Sequence, residues 1–231
     1  MIQTFRKAWG IPELRKKIVF TMLILLIFRI GNAIPVPFVN TEMLGAYLSS
    51  MMSGGAFAQA TLFALGVQPY INSSIIIQLL TIAIPALERL AKEGGEEGKK
   101  KIASITRYAT VAIALLQAFG YFMIMKNYDL LAVSEPNFWH ALVIIVSFVA
   151  GSSFVMWIGE QVNEFGIGNG ISMILFAGII SRVPTGVSTL MGMAKASSLG
   201  WLWALLMVVG MLLMVMLIVF VSDAERRIPI Q

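Results

Sequence analysis

The chain has 231 residues, of which 58% are hydrophobic and 13% are charged. The apolar residues come in long blocks, and a soluble fold has too little polar surface to cover several charge-free runs of about 20 residues. This excludes an ordinary soluble domain and predicts an all-α polytopic membrane protein. The absence of cysteine excludes disulfides, thiolate metal sites and a cysteine nucleophile. The formal charge of +5 lies scattered beside the apolar blocks, which indicates membrane topology and not a nucleic-acid surface.

The first apolar block begins at Ile18. Arg29 interrupts it, and Pro35 follows without a small-residue cleavage site, so the pattern favours a retained span over a cleaved secretory signal. Residues 1–17 are expected to form a cytoplasmic amphipathic N-terminus. Arg29 either snorkels to the outer interface, pairs with a neighbouring helix, or marks an ion path.

Five more charge-poor blocks are long enough to cross a bilayer core of roughly 30 Å, which takes about 20 helical residues. They cover residues 69–87, 108–125, 138–158, 167–183 and 199–221. With the first block they predict six transmembrane helices. Lys and Arg cluster before the first span, between the second and third, and after the sixth, so the positive-inside rule predicts that both termini are cytoplasmic.

The charge-free region from Met43 to Leu87 is too long for one crossing and too short for three. One return crossing from Pro69 fits the predicted topology, and it leaves a short apolar segment at about 56–65. A re-entrant half-helix that lines a wet cavity on the outer side is one solution. The alternative is an amphipathic helix lying on the outer leaflet.

The predicted spans carry little that is typical of catalysis or ion coupling. No acidic residue lies near the middle of a span, since Glu160 and Glu164 fall at the predicted cytoplasmic end of the fourth. This counts against a proton- or sodium-coupled transporter. We expect no enzyme activity, no catalytic or metal site and no cofactor, and we interpret His140 as an interface residue.

Two loops have open interpretations. The segment from Gly159 to Ser172 contains four glycines and favours a close helix-to-helix turn, because no strand precedes it and no lysine follows at the offset of a phosphate-binding loop. The charged segment from Lys92 to Lys101 is either a solvated cytoplasmic loop or a docking site for a large partner.

Several strings resemble the SecY family of bacterial protein-translocation channel subunits. They are ALGVQPYINSSIIIQLL at 64–80, FRIG at 28–31 with IPVP at 34–37, the glycine-rich segment at 159–172, and ERRIPIQ at 225–231. The resemblance covers the whole chain. It implies a ten-span channel of two pseudo-symmetric halves with a short re-entrant plug helix, of which this chain would be the N-terminal portion.

In that frame residues 18–183 would form the N-terminal half-channel. Residues 199–221 would be the sixth span, which starts the C-terminal half, and residues 222–231 a truncated cytoplasmic loop. The family's lateral gate would lie along the second and third spans, facing spans that this chain does not include.

The resemblance also implies functional residues. The plug, at about 54–65, includes Gly54, Gly55, Ala56, Phe57, Leu62, Phe63 and Leu65. The pore ring, an aliphatic constriction at mid-membrane, matches Val67, Ile71, Ile171 and Leu175. The lateral gate matches Ser73, Ile77, Gln78 and Leu80. Docking of cytoplasmic partners is expected at Lys92, Lys99, Lys100, Lys101, Arg226 and Arg227.

The implied function is translocation of unfolded secretory polypeptides and lateral release of hydrophobic segments into the plasma membrane of a bacterium. The implied partners are SecE, SecG, SecA, the ribosome, nascent chains and membrane lipid, with no nucleic-acid contact beyond the ribosome. Two other classes stay open: a secondary transporter, and a non-conducting scaffold that docks ribosomes through the loop at 88–107.

Overall fold

The computed structural model of the chain describes residues 11–40, 43, 61–92, 94–133, 136–196 and 199–223. Within these ranges the regular elements are α-helices, accompanied by two isolated β-bridges. In chain order the helices are α1 (Pro12–Gly31), α2 (Gln68–Ala83), α3 (Pro85–Lys92), α4 (Gly95–Asn127), α5 (Phe138–Phe165), α6 (Gly170–Ile180), α7 (Val183–Ala196) and α8 (Gly200–Ser222). The predicted all-α fold is confirmed.

Fewer spans meet the length and hydropathy requirements than the six that the sequence predicts. Within the described ranges four helical segments are long and apolar enough: Gly95–Asn127, Phe138–Phe165, Gly170–Lys195 and Gly200–Ser222. The pair α2 and α3 would make a fifth. Helix α1 is not among them because it already begins at Pro12, so that Glu13, Arg15 and the following lysines belong to it. The chain is a multi-pass membrane protein, and the first of the six predicted spans stays a prediction.

The predicted second span, 69–87, does not form one straight helix. Helix α2 ends at Ala83, and α3 leaves it at an angle of 101°. Pro85 causes the break, because its ring disfavours the helical conformation at Ile84, which is extended with φ −107° and ψ 113°. The straight helix is therefore shorter than the predicted span, and α3 carries no buried residue.

Helix α4 is longer than the predicted third span, residues 108–125. Helix α4 begins at Gly95, so most of the basic segment that was predicted to be a loop forms its first turns. Glu96 and Glu97 in the first turn suit the positive end of the helix dipole. Lys99, Lys100 and Lys101 therefore stand on a helix.

The glycine-rich turn is shorter than predicted. Helix α5 continues through Gly159 to Phe165, which confines the turn to residues 166–169. Gly168 has φ +71°, a conformation that glycine adopts without strain. Helix α6 begins after this turn at Gly170 and not at 167, and a break at 181–182 separates it from α7.

The chain divides into two compact units, residues 1–176 and 177–231. In the first unit α5 packs against α1 and α4, and α4 packs against α2. Phe148 and Ile144 of α5 are fully buried against Met125 of α4. In the second unit α7 packs against α8, in which no described side chain after Gly200 is buried. The first unit thus holds the packed core of the described residues.

Candidate functional site

Two chain segments converge on one face of α5 in the first unit. We call residues 61–71 the first arm and residues 166–175 the second arm. They meet in a buried cluster formed by Ile24, Phe28, Phe63, Val67, Val155, Ile158, Val162 and Ile174, with Phe20, Ile27, Leu62, Tyr70, Ile71 and Ile171 packed around it. The fold therefore joins residues that lie 100 positions apart in sequence.

This cluster unites three of the four residues predicted to form the pore ring. Val67 is buried, and Ile71 and Ile171 are half-buried against the same core. Leu175 lies outside the cluster and is 42% exposed. The role of all four in a ring stays a prediction.

The first arm is a series of tight turns that leads into α2. Backbone hydrogen bonds run from the Ala64 amide to the Thr61 carbonyl at 2.9 Å and from the Gly66 amide to the Phe63 carbonyl at 2.8 Å. Gly66 has φ +53°, and Pro69 lies in the first turn of α2, where its missing N–H costs nothing. The described part of the predicted re-entrant helix, residues 61–65, thus consists of turns, because the bonds reach three residues and not four.

Phe63 anchors the first arm between two helices. Its ring stacks on Phe28 of α1 at 6.0 Å and on Phe154 of α5 at 5.8 Å between centroids. Gly31 makes room for it, because a Cβ there would overlap the Phe63 ring.

The Leu62 amide also donates to the Ile34 carbonyl at 2.9 Å. Of the predicted plug residues, Leu62, Phe63 and Leu65 are therefore held in the core, while Gly54, Gly55, Ala56 and Phe57 lie outside the described residues.

The second arm is held by side-chain oxygens that accept backbone hydrogen bonds. Thr21 Oγ1 of α1 donates to the Lys17 carbonyl at 2.9 Å and accepts from the Ile167 amide at 3.2 Å. Asn163 Oδ1 of α5 accepts from the Gly170 amide at 2.7 Å. Asn169 Oδ1 accepts from the Ser172 amide at 3.1 Å, the bond of a helix cap. These contacts fix where α6 begins and hence where Ile171 lies.

The predicted gate residues divide between two faces of α2. Ser73 and Ile77 are buried, and the Ser73 hydroxyl is hydrogen-bonded to the Thr110 hydroxyl of α4 at 2.5 Å. Gln78 is exposed and Leu80 is half-buried. A gate-facing role suits Gln78 better than Ser73, which joins α2 to α4. The gate function of all four stays a prediction.

The predicted docking residues lie on α3 and α4. Lys92 Nζ is 2.7 Å from Glu88 Oε1, and the hydrogen bond and the charge of Glu88 raise the pKa of Lys92 above its usual value. Lys99 Nζ lies 3.8 Å from Glu96 Oε1. Lys100 and Lys101 line a shallow groove of about 400 Å³ with Leu90, Ser104 and Ile105. Arg226 and Arg227 lie outside the described residues.

Sequence reasoning missed an ion pair between α4 and α5. Arg107 Nε donates to Glu160 Oε1 at 2.8 Å, although 53 positions separate the two residues.

Arg29 is exposed, and no hydrogen bond or ion pair joins it to another described residue. His140 Nδ1 accepts from the Asn137 amide and caps α5, which is a structural role. Among the described residues no three His, Asp or Glu side chains cluster to hold a metal ion.

The side chains of the buried cluster where the two arms meet are apolar. Its members are aliphatic and aromatic side chains, with the Tyr70 hydroxyl as the one titratable group of the cluster among the described residues. Apolar side chains around a narrow throat disfavour water and ions, and they yield to a passing chain without leaving a charge unpaired. The arrangement is suited to sealing.

The SecY family model matches residues 61–231. The protein translocase subunit SecY of Aquifex aeolicus is 38% identical over 100% of this chain, which covers 57% of that relative. The subunit of Escherichia coli K12 is 39% identical over 96% of the chain, which covers 52% of that relative. The chain thus spans a little over half the length of these curated relatives.

Solved protein-conducting channels have a similar fold. A structure described as a protein conducting channel matches 93% of this chain and 49% of its own, with a TM-score of 0.57 and 18% identity. Sec61 in a canine ribosome-channel complex matches 94% of this chain and 49% of its own, with a TM-score of 0.56 and 18% identity. At such identity the likeness establishes the fold alone.

Proposed function

The chain belongs to the SecY family, and we propose that it forms the N-terminal portion of a channel that passes unfolded polypeptides across a membrane. One observation carries this proposal: Val67 and Ile71 of the first arm and Ile171 of the second arm meet at one aliphatic cluster. Because the family resemblance implies a pore ring at these three residues, their meeting favours a channel over a solute transporter or a scaffold.

The proposed seal works through the cost of dehydration. An ion that enters an aliphatic constriction loses water and gains no polar partner, and this cost amounts to several kcal/mol. A polypeptide that is driven from one side displaces the same side chains without leaving a buried charge. The channel therefore needs no catalytic group of its own, and we assign the driving force to its partners.

Lateral release would use the open face of α2. Ile75, Ile76, Leu79 and Ile82 are exposed there, and Gln78 lies among them. A hydrophobic segment that leaves the channel next to this face moves from one apolar surface to another, so its exit into lipid meets no polar barrier. The exposed face supports the proposed gate, with Ser73 and Ile77 holding α2 against α4 from behind.

We assign the partners by family and by charge. The likeness to Sec61, which was solved in a ribosome-channel complex, supports the ribosome as a partner at the basic start of α4. SecE, SecG and the SecA motor belong to the same proposal. So do a bacterial plasma-membrane location and cytoplasmic termini, which the positive-inside pattern supports.

Photo-crosslinking tests this function. A photoreactive residue at Ile71 is compared with one at Met22, an exposed position of α1 outside the cluster, in membranes that also hold the channel's remaining spans and a ribosome-stalled secretory chain. We expect crosslinks from Ile71 that track the length of the nascent chain, and none from Met22. Crosslinks that appear only from a probe at Lys99 would favour the docking scaffold. Solute uptake by the reconstituted protein, with no nascent-chain crosslink, would favour the transporter.

A further inference from the structure

Helix α5 contacts both arms through the same stripe of its surface. Gly151 and Ser152 face the first arm, and Gly159 and Asn163 face the second. Between these two contact points Val155 and Ile158 are fully buried. Eight residues of helix separate the two glycines, which places the contact points about 12 Å apart along the axis.

The first arm touches α5 with its backbone. A Cβ at Gly151 would overlap the carbonyl oxygen of Leu62, so only glycine allows the observed approach. The adjacent Ser152 Oγ donates to the Gly66 carbonyl at 3.2 Å. Val67 directly follows Gly66, and Ile71 lies one helical turn further on. The distance between α5 and the first arm therefore sets the position of both proposed ring residues.

The second arm touches α5 in an analogous way. A Cβ at Gly159 would overlap Cδ1 of Ile171, and a Cβ at Gly170 would overlap the carbonyl oxygen of Gly159. Asn163 completes the contact through its bond to the Gly170 amide. In this arm the ring residue itself rests in the space that the absent side chain leaves.

We infer that Gly151, Ser152, Gly159 and Asn163 of α5 are positioning residues that hold the two arms of the constriction in register. This inference rests on the proposed function, since it specifies how the proposed seal is assembled. A single methyl group, buried behind the constriction and outside the path, is therefore expected to displace the backbone of the first arm at Gly151 and the side chain of Ile171 at Gly159.

The test compares three Gly→Ala variants in the channel with its remaining spans present. Gly151→Ala and Gly159→Ala each add a methyl group against an arm. Gly120→Ala adds the same group in α4, where a Cβ meets nothing within 4 Å. All three variants gain the same helix propensity, so a general effect on helix stability is common to them.

Two readouts report position and sealing separately. The first is the rate of disulfide formation between cysteines placed at Ile71 and Ile174, which keeps Ile171 in place beside Gly159, in a chain that contains no other cysteine. The second is resting ion flux per assembled channel. We expect Gly151→Ala to slow the crosslink severalfold and both Gly151→Ala and Gly159→Ala to raise the flux, while Gly120→Ala leaves both readouts at the wild-type level.

Ser152→Ala keeps the inference testable if a glycine variant fails to assemble. It removes the bond to Gly66 without adding volume, and we expect it to slow the crosslink by a smaller factor. The inference is overturned if Ser152→Ala and every glycine variant that assembles retain both the wild-type crosslinking rate and the wild-type flux. Failure of the proposed function looks different: Ile71→Gly would then leave the flux unchanged, while the crosslink would still report on positioning.

Discussion

The two arms reach the same cluster but are held by different forces. The first arm is anchored chiefly by packing, with the Phe63 ring stacked between Phe28 and Phe154. The second arm is anchored chiefly by hydrogen bonds, in which Thr21 and Asn163 accept from its backbone amides. The difference follows from composition: the first arm carries the bulky ring of Phe63, whereas the turn at 166–169 in the second arm is glycine-rich and is held through its backbone amides.

The largest expected effect tests whether packing holds the first arm. Phe63→Ala removes both ring contacts and leaves a cavity above Gly31, so we expect a loss of about 3–5 kcal/mol of stability. Thermal unfolding of the purified protein in detergent measures it. Phe119→Ala, at an exposed position of α4, is the matched control and is expected to shift the midpoint little. Equal shifts for the two variants would refute anchoring by Phe63.

A smaller effect is expected when a hydrogen bond of the second arm is removed. Thr21→Val keeps the side-chain shape but leaves the Ile167 amide without its acceptor, at a cost of about 1–3 kcal/mol. Amide hydrogen exchange at Ile167 should accelerate accordingly. The control is Thr189→Val, whose hydroxyl bonds only to the Thr185 carbonyl in its own helix. Unchanged exchange at Ile167 would mean that Thr21 does not secure the turn.

The smallest expected effect concerns the hydroxyl pair behind the first arm. Thr110→Val removes the partner of Ser73, and interhelical bonds of this kind contribute about 0.6 kcal/mol in membranes. Unfolding of this variant is compared with Thr106→Val, which loses only a bond to the Ile102 carbonyl. A loss as large as that of Phe63→Ala would show that polar contacts, and not packing, dominate the first arm.

Hydropathy alone predicted the helical class and several boundaries. Helix α5 begins at Phe138 as predicted, and α8 covers nearly the whole of the predicted sixth span. These boundaries are readable because the charge-free blocks coincide with the helices. Family resemblance, and not hydropathy, pointed to Val67, Ile71 and Ile171, which the fold brings to one cluster.

Other features depend on backbone geometry or tertiary contact. Hydropathy did not predict the bend at Ile84, because the residues on both sides of Pro85 are apolar. The charged first turns of α4 were not predicted, because hydropathy detects only apolar helices. The pairing of Arg107 with Glu160, and the packing of Gly151 and Gly159 against the arms, require contacts between distant segments that no local pattern encodes.

Resting ion flux through Ile71→Gly tests the central claim most directly, with Leu26→Gly as its control. Both changes place glycine in a helix at a similar cost of about 1 kcal/mol, but Ile71 packs in the cluster where the two arms meet and Leu26, in α1, is exposed. If the arms form a seal, Ile71→Gly raises the flux through the assembled channel severalfold and Leu26→Gly does not. Equal flux through the two variants and the wild type would contradict the aliphatic constriction.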